Sequence, residues 1–390
     1  MTSRSGDGLG PSKRSAVAPF IAMDVLGEAN RLEAEGRHIL HLEVGQPGTP
    51  APRLVRETAR RALDGERLGY TDALGIWPLR ARISRHYAEI YGVEVPAERI
   101  VVTTGSSGGF ILSFLAGFDR GARVALPTPG YPAYRNILAT LGLEPVALRL
   151  SQATRWAPTA DMILAAQRER RIDGLLVASP ANPTGTMLTV PVLKQVVELC
   201  AEEGIWFISD EIYHRLTYDA PAETALKFSH DVIVINSFSK YYSMTGWRVG
   251  WMVLPEALVR TVERLAQNLF ISVPALSQFA AAAAFDATEE LEANRAVYAQ
   301  NRALLTRELP KIGLKDFLPM DGAFYAYVDV GRHTNDSMDF ARRLLREAGV
   351  AVTPGLDFDP ENGNRYVRLS FAGPTADIEE AVRRLGEWLK

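Results

Sequence analysis

The segment NSFSKYYSMTGWRVGW, from Asn236 to Trp251, sets Lys240 three residues after Ser237 and eight before Arg248, directly beyond the apolar run DVIVINS. A lysine at the end of a buried strand must either reach back to water or be used. Stripped of solvent, its amine loses its proton more easily and can add to a carbonyl to form a Schiff base. A hydroxyl and a guanidinium close by suit an anion such as phosphate. Upstream, VVTTGSSGG brings Gly105, Ser106 and Ser107 to the end of another apolar run. Backbone amides that open a helix there, aided by its dipole, form an anion site. The stretch is neither the Gly-Lys-Ser/Thr loop of nucleotide hydrolases nor a GxGxxG turn.

Two further run ends carry polar groups. SPANPTG holds Asn182, and ISDEIYHRL puts Asp210 next to an apolar strand, with Tyr213 three residues on. On a helix starting there, Asp210 and Tyr213 are one turn apart. Each residue alone has a local explanation: Ser106 or Asp210 as a helix cap, Asn182 as a turn residue, Lys240 as half of an ion pair. Together they describe more. A lysine for an aldehyde, a cradle for a phosphate, and a carboxylate able to keep a ring nitrogen protonated make a pyridoxal phosphate site.

The elements that position these groups follow from periodicity. From about residue 99, the apolar runs IVVT, RVAL, GLLVAS, GIWFIS and DVIVINS alternate with helical patterns such as PVLKQVVELCAEE. Runs of this kind are strands covered on both faces, so the fold is α/β with a mostly parallel sheet sandwiched by helices. Sites in such sheets lie beyond the carboxyl ends of the strands. After about 286 the pattern becomes mixed: a long charged helix, GAFYAYVDV, a helix near 336–348, YVRLSF and a last helix. The expected division is a flexible leader at 1–15, a segment at 16–45 belonging to a small domain, a large domain at 46–290, and the rest of the small α+β domain at 291–390. Residues 16–37 are expected to be helical, and HILHLEVG to form a strand.

Bulk properties set the limits. The 390 residues carry a formal net charge of -3, with 47% hydrophobic and 23% charged residues. This gives no global case for nucleic acid or an acidic membrane as partner. The one cysteine, Cys200, excludes an intrachain disulfide framework and an all-cysteine metal site, and its place in VVELC reads as a buried helix position. No metal site is expected. No run approaches 18 apolar residues, and the start MTSRSGDGLGPSKRS lacks the apolar core of a signal peptide. The expected compartment is the cytoplasm. About 15 polar residues before the first helix are too few for a DNA-binding domain, so a regulator built on this fold is not expected.

The pattern S-x-S-K-x-x-x-M-x-G-W-R-x-G, with N-P-T-G and D-E-x-Y upstream, resembles the fold-type I pyridoxal phosphate enzymes. Within them it resembles the class I/II aminotransferases related to aspartate aminotransferase. The resemblance runs from LEVGQPG to YVRLSF. It implies that Lys240 forms the Schiff base and shuttles the proton, and that Asp210 binds the ring nitrogen. Asn182 and Tyr213 would hydrogen-bond the phenolic oxygen, and Tyr131 would stack on the ring. Gly105, Ser106, Ser107, Ser237 and Arg248 would hold the phosphate. Tyr70 would reach the phosphate of a second subunit, giving a homodimer with shared sites. Arg368 and Gly45, with Asn182, would take the substrate α-carboxylate; an arginine in an apolar run is costly unless paired. The implied activity is ping-pong transfer of an amino group from an L-amino acid to a 2-oxo acid. Elimination or decarboxylation on the same fold remains the alternative. Phe20, Ile21 and Met23, in APFIAM, suggest an apolar or aromatic substrate side chain.

Overall fold

The computed structural model describes residues 10–390, so nine residues of the expected leader lie outside it; Lys13–Ser15 form a short exposed 3-10 turn. Among the described residues there are twelve strands. In chain order they are β1 (Leu40–His41), β2 (Ile100–Thr103), β3 (Arg123–Thr128), β4 (Glu144–Arg149), β5 (Gly174–Ala178) and β6 (Trp206–Asp210). Then follow β7 (Ile233–Ser237), β8 (Gly250–Val253), β9 (Tyr325–Asp329), β10 (Val350–Ala351), β11 (Thr353–Pro354) and β12 (Tyr366–Ser370).

Seven strands form the main sheet in the order β2-β8-β7-β6-β5-β3-β4. All its pairings are parallel except those of β8, which runs antiparallel to both β2 and β7. Strand residues alternate between two apolar layers. Leu175, Val177, Phe207, Val234 and Trp251 enter one core, while Leu176, Ile208, Ile233, Ile235 and Met252 enter the other. Helix Gly105–Gly117, with Phe110 and Phe114, and helix Glu256–Leu269 cover one face; helices such as Trp77–Tyr91 and Val190–Glu202 cover the other. A sheet buried on both faces is what continuous apolar runs require.

Two strands of this sheet escaped the sequence reading, as did the two-residue strands β10 and β11. β4 is an edge strand whose short run Val146-Ala147-Leu148 is preceded by Pro145, a residue that weakens a strand signal. β8 lies inside the stretch read for its chemistry. Cys200 is buried in helix Val190–Glu202, as expected.

The smaller α+β unit joins the two ends of the chain. β1 pairs in parallel with β10, Leu40 opposite Val350, and β11-β12-β9 form an antiparallel sheet. The first helix is Ile21–Ala34, shorter than the expected 16–37, because Pro19 disfavours a helical conformation at Ala18. HILHLEVG contributes only the two residues of β1. Leu42 still donates to the Ala351 carbonyl (2.9 Å) and accepts from the Ser370 amide (2.7 Å) before the chain turns towards Arg368. The helix near 336–348 is α-helical over Ser337–Arg343 and widens to a π turn at Leu344–Ala348. Among the described residues no helix is long and apolar enough to cross a membrane.

Trp251 anchors one layer. It is fully buried, its ring lies 4.9 Å from that of Phe238, and its Nε1 donates to the Tyr87 hydroxyl at 3.1 Å. Trp251→Ala is expected to cost about 3–5 kcal/mol in guanidinium unfolding, the range for truncating a buried aromatic. A loss under about 1 kcal/mol contradicts this packing account.

Candidate active site

The carboxyl ends of the parallel strands converge on one cleft of about 450 Å³. The turn after β2 supplies Ser106 and Ser107, that after β3 supplies Tyr131, that after β5 Asn182, the end of β6 Asp210 and Tyr213, and that after β7 Lys240. β8 runs the other way, so Arg248, just before it, joins the same rim. β12 contributes Arg368, and the segment after β1 contributes Gly45. Three of the residues expected to hold the cofactor are not in the wall. Ser237 is buried one layer behind it, where its hydroxyl shares a 2.9 Å hydrogen bond with that of Ser239, which does line the cleft. Gly105 lies behind Arg248. Tyr70 is 83% exposed and outside the cleft of its own chain.

Lys240 is half-buried at the cleft floor, and its ammonium donates to the Gly45 carbonyl. Burial pulls its pKa down to about 7, helped by the positive charges of Arg368 and Arg248 and opposed by Asp210. Gly45 has no room for a side chain, because an added Cβ would lie 1.8 Å from the Tyr325 hydroxyl. That hydroxyl shares a 2.7 Å hydrogen bond with the Tyr213 hydroxyl. Asp210 is buried; one carboxylate oxygen accepts from the Tyr134 hydroxyl and the other from the Ile212 amide at 3.1 Å. Burial raises its pKa to about 6, against the pull of those two bonds and of Lys240. A cation beside Asp210 would restore full ionisation, which is the condition a protonated ring nitrogen would meet.

Arg368 is 2% exposed, yet none of its hydrogen-bond partners is a carboxylate. It donates to the Asn182 side-chain oxygen at 2.9 Å, to Thr353 Oγ1 at 3.2 Å and to the Glu43 carbonyl, and its Nε has no partner. Its guanidinium lies over the rings of Tyr325 and Phe358, at 4.4 and 4.8 Å. A buried cation with no carboxylate hydrogen-bonded to it is expensive, although the charge of Asp357 acts on it from farther off. Its chemistry fits an incoming carboxylate.

At the other cation, Arg248 Nη2 would lie 2.6 Å from a Cβ added to Gly105, which has φ +69 and opens helix Gly105–Gly117. Gly105 is thus fixed twice, by its left-handed backbone and by the guanidinium packed on it. A guanidinium against the positive end of a helix is unfavourable unless an anion sits between them. With the hydroxyls of Ser106, Ser107 and Ser239 in the same wall, this donor set fits a phosphate.

Sequence reasoning missed Tyr134 and Tyr325. Tyr134 lies one helical turn after Tyr131 in GYPAY, a spacing that could have signalled a shared face. Tyr325 sits in an aromatic strand with no local mark of its role. Phe20 and Met23 line the cleft as expected; Ile21 does not. It faces a separate groove with Val25 and Leu345, and Ala22 and Leu26 take its place in the wall. Successive helical residues are about 100° apart, so APFIAM could not present all its apolar residues to one cavity.

A two-layered α/β sheet carrying a lysine, an aspartate and two arginines at its strand ends is an aminotransferase architecture. The family model for aminotransferase class I and II matches residues 37–385. The chain is 48% identical over 381 residues to the valine–pyruvate aminotransferase of Mycobacterium tuberculosis, covering 96% of this chain and 97% of that one. A crystal structure of an aminotransferase from Mycobacterium tuberculosis superposes with a TM-score of 0.95 at 47% identity, covering 98% and 99% of the two chains. The aspartate aminotransferase of Thermus thermophilus, solved with maleate, gives a TM-score of 0.91 at 29% identity, covering 97% and 100%. The chain belongs to the class I and II aminotransferases, a family that uses pyridoxal phosphate. The resemblance carried by the Lys240 motif holds, and the enzyme is an aminotransferase.

The depressed Lys240 pKa has a testable sign. Between about pH 7 and the ordinary lysine value near 10 the unfolded chain binds the extra proton, so stability from this group rises with pH through that window. In cofactor-free protein, an amine-directed label should modify Lys240 with a midpoint near pH 7, well before surface lysines. Labelling of Lys240 only above about pH 9, together with the others, contradicts an amine so depressed.

Proposed function

We propose that this aminotransferase binds pyridoxal 5'-phosphate in the cleft and moves the amino group of an apolar amino acid of about valine size to a small 2-oxo acid such as pyruvate. The observation that carries the reading is the cation count. Among the described residues lining the cleft, only Lys240, Arg248 and Arg368 are cationic. Arg248, with Ser106, Ser107 and Ser239 in the wall and Gly105 and Ser237 behind it, would hold the phosphate. Asp210 would hold the ring nitrogen, Asn182 and Tyr213 the phenolic oxygen, and Tyr131 a ring face. Arg368 takes the α-carboxylate. No cation is left for a second carboxylate, and Phe20, Ala22, Met23 and Leu26 present an apolar wall instead. The name of the Mycobacterium tuberculosis relative supports the same choice.

When bound, pyridoxal phosphate supplies an electron sink conjugated with the amino acid α-carbon. The chain's residues do the rest. Arg368 and Asn182 orient the amino acid by its carboxylate. Lys240, whose pKa burial pulls down to about 7, would take the α-proton at Nζ and later give it back. When that amine is free, the carbonyl of Gly45 accepts a hydrogen bond from it. Arg368 is fixed against rotation by Tyr325 and Phe358.

The same reading places the enzyme in the cytoplasm, consistent with its one buried, unpaired cysteine. It divides the chain near residues 45 and 290 into a large cofactor domain and a small domain built from both ends. It also makes the active form a homodimer. Tyr70 is exposed, as are Trp77, Leu269 and Ile271, and a Thr71 amide bond to Ser272 brings two of these segments together. An apolar patch of this kind suits a second copy, whose cleft Tyr70 would complete.

Arg368→Ala should retain the cofactor and its absorption while losing about 2–5 kcal/mol in kcat/KM for amino acids, the range for truncating one partner of a buried charge pair. Amines without a carboxylate should lose little. Equal losses for both remove Arg368 from the substrate site.

Complementation checks the shared site. Lys240→Ala is mixed with a Tyr70→Ala variant that also carries a bulky disabling change nearby, and subunits are exchanged. In a mixed dimer one site receives both defects and the other neither, so activity should return towards one intact site. Exchange without any recovery shows that Tyr70 serves its own chain.

A further inference from the structure

The helix Ile21–Ala34, which carries the wall residues Ala22, Met23 and Leu26, has no cap of its own. Its N-cap residue is Phe20, whose side chain cannot accept a hydrogen bond. The free amides of Ile21 and Ala22 instead donate to the two carboxylate oxygens of Asp357, at 3.2 and 3.1 Å, from more than 330 residues away. Asp357 is fully buried, and its negative charge sits where the helix dipole favours one. Its own carbonyl accepts from Arg135 Nη2 at 2.6 Å, which fixes the backbone from which the carboxylate projects.

The position of Asp357 in the chain matters. It ends the 3-10 turn Gly355–Asp357, which directly follows β11. In β11, Thr353 pairs with Arg368 of β12, and its hydroxyl oxygen accepts from the guanidinium while its proton goes to the Glu43 carbonyl. Five residues, 353–357, therefore buttress Arg368 at one end and hold the start of the wall helix at the other. Phe20, at that start, meets the Tyr131 ring edge-on at 5.7 Å.

We propose that Asp357 is a positioning residue for donor selection: by capping the first helix from the C-terminal lobe, it sets the apolar wall at a fixed distance from the α-carboxylate anchor Arg368. The inference rests on the reading above, that the donor carries an apolar side chain. Without the cap, the amides of the first turn lose their partners and that turn frays. Phe20, Ala22 and Met23 lie in or next to that turn, so a donor side chain long enough to touch them loses its contacts. Alanine, whose methyl group is too short to depend on the wall, does not.

The test compares wild-type and Asp357→Ala holoenzymes with alanine, valine and leucine as donors. The proposal expects KM for valine and leucine to rise about five- to tenfold, the scale of a lost helix cap, with kcat held within about twofold and KM for alanine nearly unchanged. Asp357→Asn, which keeps one acceptor oxygen, should recover part of the loss. Hydrogen exchange at residues 21–26 should quicken in Asp357→Ala. Equal KM increases for alanine and valine, no increase for either, or a fall in kcat alone overturns the proposal. Should Asp357→Ala fail to fold, Asp357→Asn is measured in the same way, and a loss that does not discriminate between donors overturns it equally. Failure of the underlying reading shows separately, as a wild-type enzyme that prefers dicarboxylic donors to valine.

Discussion

A lysine amine kept short of water, with a carbonyl on one side and two guanidinium groups near it, is the constraint around which the molecule is arranged. Water would hold Lys240 protonated; burial in the cleft pulls its pKa down to about 7. Its position at the end of β7 is secured by a sheet whose two faces are both covered, and its amine is held by the Gly45 carbonyl from the segment after β1. Gly45 can come so close only because it lacks a side chain where the Tyr325 hydroxyl stands. Tyr325 in turn bonds Tyr213 and carries Arg368 on its ring face. Lys240, Arg368, Tyr213 and Tyr325 are thus one packed unit drawn from the ends of β6 and β7 and from β9 and β12.

Charge explains why the unit is tuned as it is. Arg368 and Arg248 are both cations placed where they lack a full complement of anions, and both depress the Lys240 pKa after burial has done most of the work. Asp210 works in the other direction, but burial raises its own pKa to about 6, and Tyr134 holds it from behind. Such a site is electrostatically incomplete alone: neither arginine has a carboxylate hydrogen-bonded to it, and Asp210 has no cation hydrogen-bonded to it. A molecule bearing a phosphate, a protonated ring nitrogen and a carboxylate-bearing substrate would answer all three. Sites of this sort are where perturbed titration is expected.

Much of this was legible in the sequence because the chemistry lies at the ends of apolar runs. Asp210, Asn182, Lys240 and Ser106 each follow a strand marked by its own residues, and the parallel order of those strands brings their ends together. What was not legible depends on facing between segments. Tyr134 and Tyr325 look like core aromatics, and only the tertiary fold aims their hydroxyls at Asp210 and Tyr213. β4 hid because Pro145 heads its short apolar run and reads as a break. Ile21 was placed in the cleft from composition, whereas helical phase turns it away and substitutes Leu26. The pairing of Asp357 with the first helix spans nearly the whole chain, and no local pattern announces it.

The central claim is that Lys240 is the residue to which the cofactor is joined. Borohydride reduction of the pyridoxal phosphate-loaded protein, followed by peptide mapping, tests it most directly. A pyridoxyl group on Lys240 alone is the result this account predicts; the group on any other lysine, or on none, would contradict it.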